Sequence, residues 1–216
     1  FMSLRGGLAT LVESLRAKIP HESVALGAPA EKLFREGGKW KISFRNQSPV
    51  EADAVLLAVP AHEAARLLAE VDPGLASELR GIEYASCATV NILMRREDVA
   101  HPLDGMGFVV PHVERRSLLG CSFSSVKYEG RAPGDMALMR AFVGGALQKD
   151  VYALSDKELG ARVADDLAEI LGFKAPPMEV HVRRHERSMA QYHLGHVERV
   201  ERIEALASRS SRLSGG

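Results

Sequence analysis

The chain has 216 residues, 46% of them hydrophobic and 26% charged, and its 28 basic and 28 acidic side chains give a formal net charge of zero. That length and composition suit one large domain or two small ones and exclude bulk disorder. Neutrality without a basic run leaves no electrostatic case for nucleic acid, and no apolar run approaches the roughly 18–20 residues of a membrane span. Cys87 and Cys121 both sit in apolar strand-like runs and read as buried free thiols of a reducing compartment. Phe1 to Gly7 contains no apolar segment of the kind a secretory leader needs. The expected location is therefore cytoplasmic, with peripheral membrane attachment left open. The abrupt start and the small polar run SRSSRLSGG at the end suggest a piece of a longer protein.

Gly6-Gly7 precedes an amphipathic helix in which Leu8, Leu11, Val12, Leu15 and Ile19 form the apolar stripe and Pro20 the stop. A β unit follows. Ser23–Leu26 reads as a short strand, Ala30–Arg35 continues after Gly27-Ala28-Pro29, and Glu36-Gly37-Gly38 turns into a return strand with Trp40, Ile42 and Phe44 alternating. Asn46–Pro49 reads as a turn. Val55–Val59 (VLLAV) is a continuous apolar run, as expected of a strand buried on both faces. Ala61–Leu68 is a short helix, and Asp72-Pro73-Gly74 a turn.

Tyr84–Met94 alternates along its whole length, with Tyr84, Ser86, Ala88, Val90, Ile92 and Met94 on one face and Ala85, Cys87, Thr89, Asn91 and Leu93 on the other. The charged run Arg95–Asp98 ends it in solvent. Between Gly105 and Gly145 come GMGFVVP, SLLGCSFSS and MALMRAFVGG, joined by HVERR (112–116) and VKYEGRAPGD (126–135). These are three strands of an antiparallel meander. Arg140 is the one cation embedded in these strands, and Phe142 shares its face. Such a sheet could be a wall for a large, flat, apolar and anionic ligand, by charge and by stacking. Its alternative is an ordinary core sheet with a snorkelling arginine. Ser155–Gly172 is a helix with an S-x-x-E capping box and a glycine stop. Met178–Val182 is a strand, and Val197, Val200, Ile203 and Leu206 mark a last helix. The fold class is mixed α/β (α+β), with an antiparallel-rich sheet flanked by helices.

Standard catalytic chemistries find little support. His181, His185, His193 and His196 crowd the C-terminal third, but no cysteine or acidic pair completes a metal set. Gly120-Cys121-Ser122-Phe123-Ser124 is not a nucleophile elbow. Neither G-x-G-x-x-G nor a P-loop occurs.

Six segments, taken together and in order, carry a resemblance. SLRGGL (3–8), ADAVLLAVPA (52–61), HPLDGMGFVVP (101–111), LLGCSFSS (118–125), FVGG (142–145) and QYHLGH (191–196) resemble motifs of the protoporphyrinogen oxidase family of amine-oxidase-like flavoproteins. The resemblance implies parts of a split FAD-binding domain at residues 1–82, a substrate-binding domain at 83–186 and a segment returning toward the FAD domain at 187–216. It implies oxidation of a porphyrinogen in heme biosynthesis, with hydride passing to FAD and O2 reduced to hydrogen peroxide. Coproporphyrinogen III is the alternative substrate within the family, and a non-catalytic porphyrin-binding module the alternative outside enzymology. By the same resemblance Ala30 and Val197 touch FAD, and Met106, Gly107, Val109, Ser122 and Phe142 line the substrate pocket. Arg140 is assigned a propionate from its face and charge. No catalytic acid–base residue or metal is implied, and a homodimer is left open. Lacking the dinucleotide fingerprint, the isolated chain is expected to bind FAD weakly or not at all and to be inactive alone.

Overall fold

The computed structural model describes residues 3–212. In chain order the elements are α1 (Ala9–Arg16), β1 (Ala30–Glu36), β2 (Lys39–Phe44), β3 (Gln47–Ala52), α2 (Ala61–Leu68), α3 (Pro73–Arg80), β4 (Tyr84–Arg95), β5 (Gly107–Val109), β6 (Gly120–Phe123), α4 (Ser124–Lys127), β7 (Met136–Gly144), α5 (Lys149–Tyr152), α6 (Asp156–Leu171), β8 (Glu179–Ala190) and α7 (His196–Arg212). The expected mixed α/β class is what forms. Two compact units are present: Tyr84–Met189 with the described part of Phe1–Lys18, and Ile19–Glu83 with the described part of Ala190–Gly216.

The first unit is built on a five-stranded sheet in the order β5-β6-β7-β4-β8. β4 and β7 pair antiparallel from Cys87↔Gly144 to Arg95↔Met136. The alternation read from the sequence decides which face is covered. Ala88, Val90, Ile92 and Met94 of β4 and Ala137, Met139, Ala141 and Val143 of β7 are all buried. They pack with Leu159, Val163, Leu167 and Leu171, the stripe of α6. Burying a side chain of this size contributes about 1.5–3 kcal/mol, so this layer holds the unit together. The capping box of α6 is complete, with the Ser155 hydroxyl and the Glu158 carboxylate each accepting a backbone N–H of the other's residue; Gly172 closes the helix at φ 66°. Its interior glycine, Gly160, has a packing reason. A Cβ there would lie 3.0 Å from Val180 Cγ1, so its absence lets β8 approach the helix.

Two side chains tie loops to this frame. The Arg116 guanidinium meets Asp166 at 3.3 Å and also Glu169, while Asp166 accepts the Ser117 N–H at 2.7 Å. The loop before β6 is thereby pinned to α6. Arg96 donates to the carbonyls of Val99, His101 and Pro102. The charged run after β4 is thus an organised turn, and its arginine satisfies three backbone acceptors.

The second unit contains a three-stranded antiparallel meander, β1-β2-β3. Gly37 and Gly38, both at positive φ, make the first hairpin turn; two successive positive φ values match the twist of the strands. Four expectations are corrected here. Ser23–Leu26 is not a strand, and a 3-10 turn occupies His21–Ser23. Asn46–Pro49 is not all turn, because β3 starts at Gln47; its proline is tolerated because β3 is an edge strand. Asp72-Pro73-Gly74 begins α3, with the Asp72 carboxylate accepting the Leu75 N–H at 2.9 Å and Pro73 in the first turn. A capping aspartate before proline is as much a helix start as a turn signal.

The fourth correction concerns VLLAV. Val55–Val59 forms no strand, and Leu56 is 93% exposed. A strand buried on both faces needs sheet neighbours, and none pairs with it among the described residues. Beside this segment lies a cavity of about 350 Å³ walled by Leu33, Val55, Leu57, Leu75 and Ile203. α3 and α7 are joined by Glu78, whose carboxylate meets Arg199 at 3.2 Å and Arg202 at 3.0 Å.

Elsewhere the stripe of α1 is exposed along its length. β8 runs well beyond the expected Met178–Val182. The polar run at the C-terminus is helical as far as Arg212 within α7, and the rest of it lies outside the described residues, as does Phe1.

Replacing Leu167, fully buried between helix and sheet, with alanine is expected to destabilise the chain by about 3 kcal/mol. Urea unfolding followed by circular dichroism measures it, and a loss under ~1 kcal/mol contradicts the packing described.

Candidate functional site: the open face of the five-stranded sheet

The side chains that alternate with the buried ones point away from α6. Strand register assembles them into rows. One row runs Gly107, Ser122, Arg140, Asn91 across β5, β6, β7 and β4. The next runs Val109, Gly120, Phe142, Thr89. Residues facing each other across adjacent strands share a face, so these eight positions form one surface. Val109 is 84% exposed and Phe142 42%, which is unusual for large apolar side chains on a sheet whose opposite face is a sealed core.

Two glycines let β5 and β6 approach closely. A Cβ on Gly107 would lie 2.1 Å from the Cys121 carbonyl oxygen, and φ there is 139°. A Cβ on Gly120 would lie 2.7 Å from the Phe108 carbonyl oxygen. Neither position accepts a side chain at this strand spacing. The Phe123 N–H donates to the Met106 carbonyl at 3.0 Å, extending the β5–β6 contact by one residue.

A concavity of about 440 Å³ opens on this surface, lined by Met106, Gly107, Phe108, Val109, Leu119, Gly120, Cys121, Ser122, Lys127 and Phe142. Met106, Gly107, Val109, Ser122 and Phe142, the residues assigned to the substrate on sequence grounds, all lie around it. Arg140 is not among its lining residues but is the register partner of Ser122. Its Nε donates to Asn91 Oδ1 at 2.8 Å, which fixes the guanidinium plane through a neutral partner. Arg45, Arg66, Arg116, Arg184 and Arg202 each meet a carboxylate. Arg140 meets none among the described residues. A cation oriented by an amide and left without a counter-ion on an apolar face is suited to an anion brought by a ligand.

Sequence reasoning missed Lys127 and Asn91. Lys127 lay in a run read as a turn; α4 begins directly after β6 and carries it to the concavity. Asn91 was placed on the correct face, but only the β4–β7 register reveals that it faces Arg140.

Ala30 and Val197 belong to the other unit. Ala30 opens β1, where the register slips between Ala30 and Lys32, and its carbonyl accepts from Arg66 Nη2 at 2.9 Å. Val197 is exposed in the first turn of α7. The histidines hold ordinary polar contacts, His181 with Glu179 at 2.8 Å and His193 with Glu83 at 3.2 Å. No group of three metal-ligating side chains occurs among the described residues. No helix among them is long and apolar enough to cross a membrane.

The two cysteines differ. Cys121 is buried, and burial pushes its thiol up to about 12. Cys87 is a correction to the expectation of two buried thiols. It stands on the open face, half-exposed, with its sulfur 3.5 Å from the Ser188 hydroxyl.

The mixed α/β architecture recurs in solved proteins. A solved protein from Exiguobacterium sp. 255-15 described as a candidate protoporphyrinogen oxidase superposes with a TM-score of 0.83 at 28% identity, over 96% of this chain and 45% of that one. Reduced UDP-galactopyranose mutase gives a TM-score of 0.71 at 14% identity, a likeness of fold alone. The chain belongs to the flavin containing amine oxidoreductase family, whose model matches residues 1–199. It is 31% identical over 199 residues to a coproporphyrinogen III oxidase of Bacillus subtilis (strain 168), covering 92% of this chain and 42% of the relative. It is 34% identical over 208 residues to a protoporphyrinogen oxidase of Bos taurus, covering 91% of this chain and 42% of the relative. The chain therefore spans less than half the length of these relatives.

The thiolate is the reactive form of cysteine, and access governs its rate. Native protein treated with a disulfide reagent at pH 8 is expected to label at Cys87 and not at Cys121. Cys87→Ser should abolish the fast labelling, and its survival in that variant contradicts the assignment of burial.

Proposed function

We propose that this chain supplies the substrate wall of an oxygen-dependent porphyrinogen oxidase that uses FAD. Met106, Gly107, Val109, Ser122 and Phe142 lie against the macrocycle in this reading, and Arg140 holds a propionate. One observation carries it: an apolar concavity on the sheet face beside Arg140, which is oriented by Asn91 and meets no carboxylate among the described residues. The names of the relatives, coproporphyrinogen III oxidase and protoporphyrinogen oxidase, support the substrate class. Residues 83–186 form the substrate domain, and 1–82 and 187–216 contribute to the flavin domain. These boundaries are drawn along the chain, whereas the compact units join the described part of Phe1–Lys18 to Tyr84–Met189.

Conversion of a porphyrinogen to a porphyrin removes six electrons and six protons in three rounds. Each round takes a hydride from carbon and a proton from the substrate, and O2 finally accepts the electron pair as hydrogen peroxide. When bound, FAD supplies the hydride acceptor. The residues of this chain bind, orient and exclude water. Phe142 and Val109 remove apolar surface of the macrocycle from water. Arg140, held by Asn91, turns a carboxylate edge toward β7 with its terminal nitrogens. Acid–base machinery is not demanded of the wall, because the cofactor carries the redox step.

The flavin's fit to this chain is partial. Small Ala30 and exposed Val197 offer apolar contacts for a flat ring. The G-x-G-x-x-G fingerprint, whose backbone N–H groups cradle a pyrophosphate, does not occur among the 216 residues. The chain alone is expected to bind FAD weakly, and a stoichiometric flavin spectrum after gel filtration with added FAD contradicts that.

In a protein that joins this sequence to a complete flavin domain, Arg140→Leu is expected to raise KM for the porphyrinogen about tenfold with kcat changed far less, the loss of one charge-assisted pair. An unchanged KM removes Arg140 from substrate binding.

A further inference from the structure

Resting on the porphyrinogen reading above, we propose that Asn91 sets the charge the wall accepts. As an amide it orients Arg140 without neutralising it, and so reserves the guanidinium for a carboxylate of the macrocycle.

Asn91 faces Arg140 in the β4–β7 ladder, and its Oδ1 accepts the Arg140 Nε–H at 2.8 Å. Aspartate has nearly the same shape as asparagine. In this place it would accept the same hydrogen bond and also bring the counter-charge, as Asp156 does for Arg184 at 2.7 Å and Asp166 for Arg116 at 3.3 Å. One atom of one side chain therefore decides whether the guanidinium is paired within the protein or held for a ligand. The bond to Nε leaves the two terminal nitrogens as the edge that a carboxylate meets side by side. The nearest positions on this face add no counter-charge: Leu138 and Phe142 flank Arg140 along β7, and Ser122 faces it from β6. Arg140 is exposed and meets no carboxylate among the described residues.

Orienting and charge-setting roles for Asn91 predict opposite orders of damage. If the amide only held Arg140 in place, an aspartate would hold it as well or better, and alanine would be the damaging substitution. If the amide sets the charge, the order reverses. Alanine releases the guanidinium but leaves it a cation open to an anion. Aspartate keeps it in place, pairs it and opposes the incoming carboxylate, so that the wall rejects an anion through an unfavourable charge.

The test is equilibrium quenching of coproporphyrin III fluorescence by the 216-residue chain. Asn91→Ala should weaken binding about twofold and Asn91→Asp about fivefold, the latter being the effect of one partly exposed charged pair. In an Arg140→Leu background, Asn91→Asp should weaken binding by less than about twofold more, because substitutions at residues in contact do not add. Circular dichroism of each variant checks the fold. Asn91→Asp that binds as well as Asn91→Ala, or better, overturns the role of Asn91. Losses that add in the double variant also overturn it, since the introduced carboxylate then repels the ligand without acting through Arg140. Either result leaves the wall intact. Failure of the wild type to bind the porphyrin overturns the porphyrinogen reading itself, and this proposal with it.

Discussion

The two-residue period of the β4–β7 ladder is the constraint on which the rest depends. One set of side chains is sealed against α6, and the alternate set is committed to the opposite face. Because the period is two, a slip of one residue would send Arg140 and Asn91 into the core and Ile92 and Met139 into solvent. The core therefore fixes the register, and the register fixes the site. The Arg140–Asn91 contact and the Ser122–Arg140 pairing follow from hydrophobic burial on the other side of the same strands.

Around this ladder the unit spends its polar side chains on holding loops. Arg116 and Asp166 fasten the segment before β6, Arg96 satisfies the carbonyls after β4, and the Ser155 cap starts α6. Arg140 is oriented by the Asn91 side chain on the open face and meets no carboxylate among the described residues. On the same face the glycines at 107 and 120 let β5 and β6 approach closely.

Much of this was legible in the sequence. Periodicity gave β4 and its two faces, the meander β5–β7, the capped α6, and the face shared by Arg140 and Phe142. Quoted motifs pointed to Met106, Gly107, Val109 and Ser122, which the strand register then brings around one concavity. What failed did so for physical reasons. VLLAV has the composition of a doubly buried strand, but a strand is a property of its partners, and Val55–Val59 has none among the described residues. Asp72-Pro73-Gly74 carries the signals of a turn and of a helix start, and the Asp72–Leu75 cap decides for the helix. Cys87 and Cys121 look alike in sequence, yet they fall on opposite faces because their strands pair in a definite register. Lys127 lay in a segment with no periodicity, and only the turn of α4 brings it to the wall.

The central claim is that the open face of the five-stranded sheet receives the macrocycle. A crystal structure of the chain with coproporphyrin III tests it most directly. The account predicts the ring over Gly107, Ser122 and Phe142, with one carboxylate within hydrogen-bond distance of Arg140. A porphyrin bound elsewhere, or one lying on this face with every carboxylate turned away from Arg140, would contradict it.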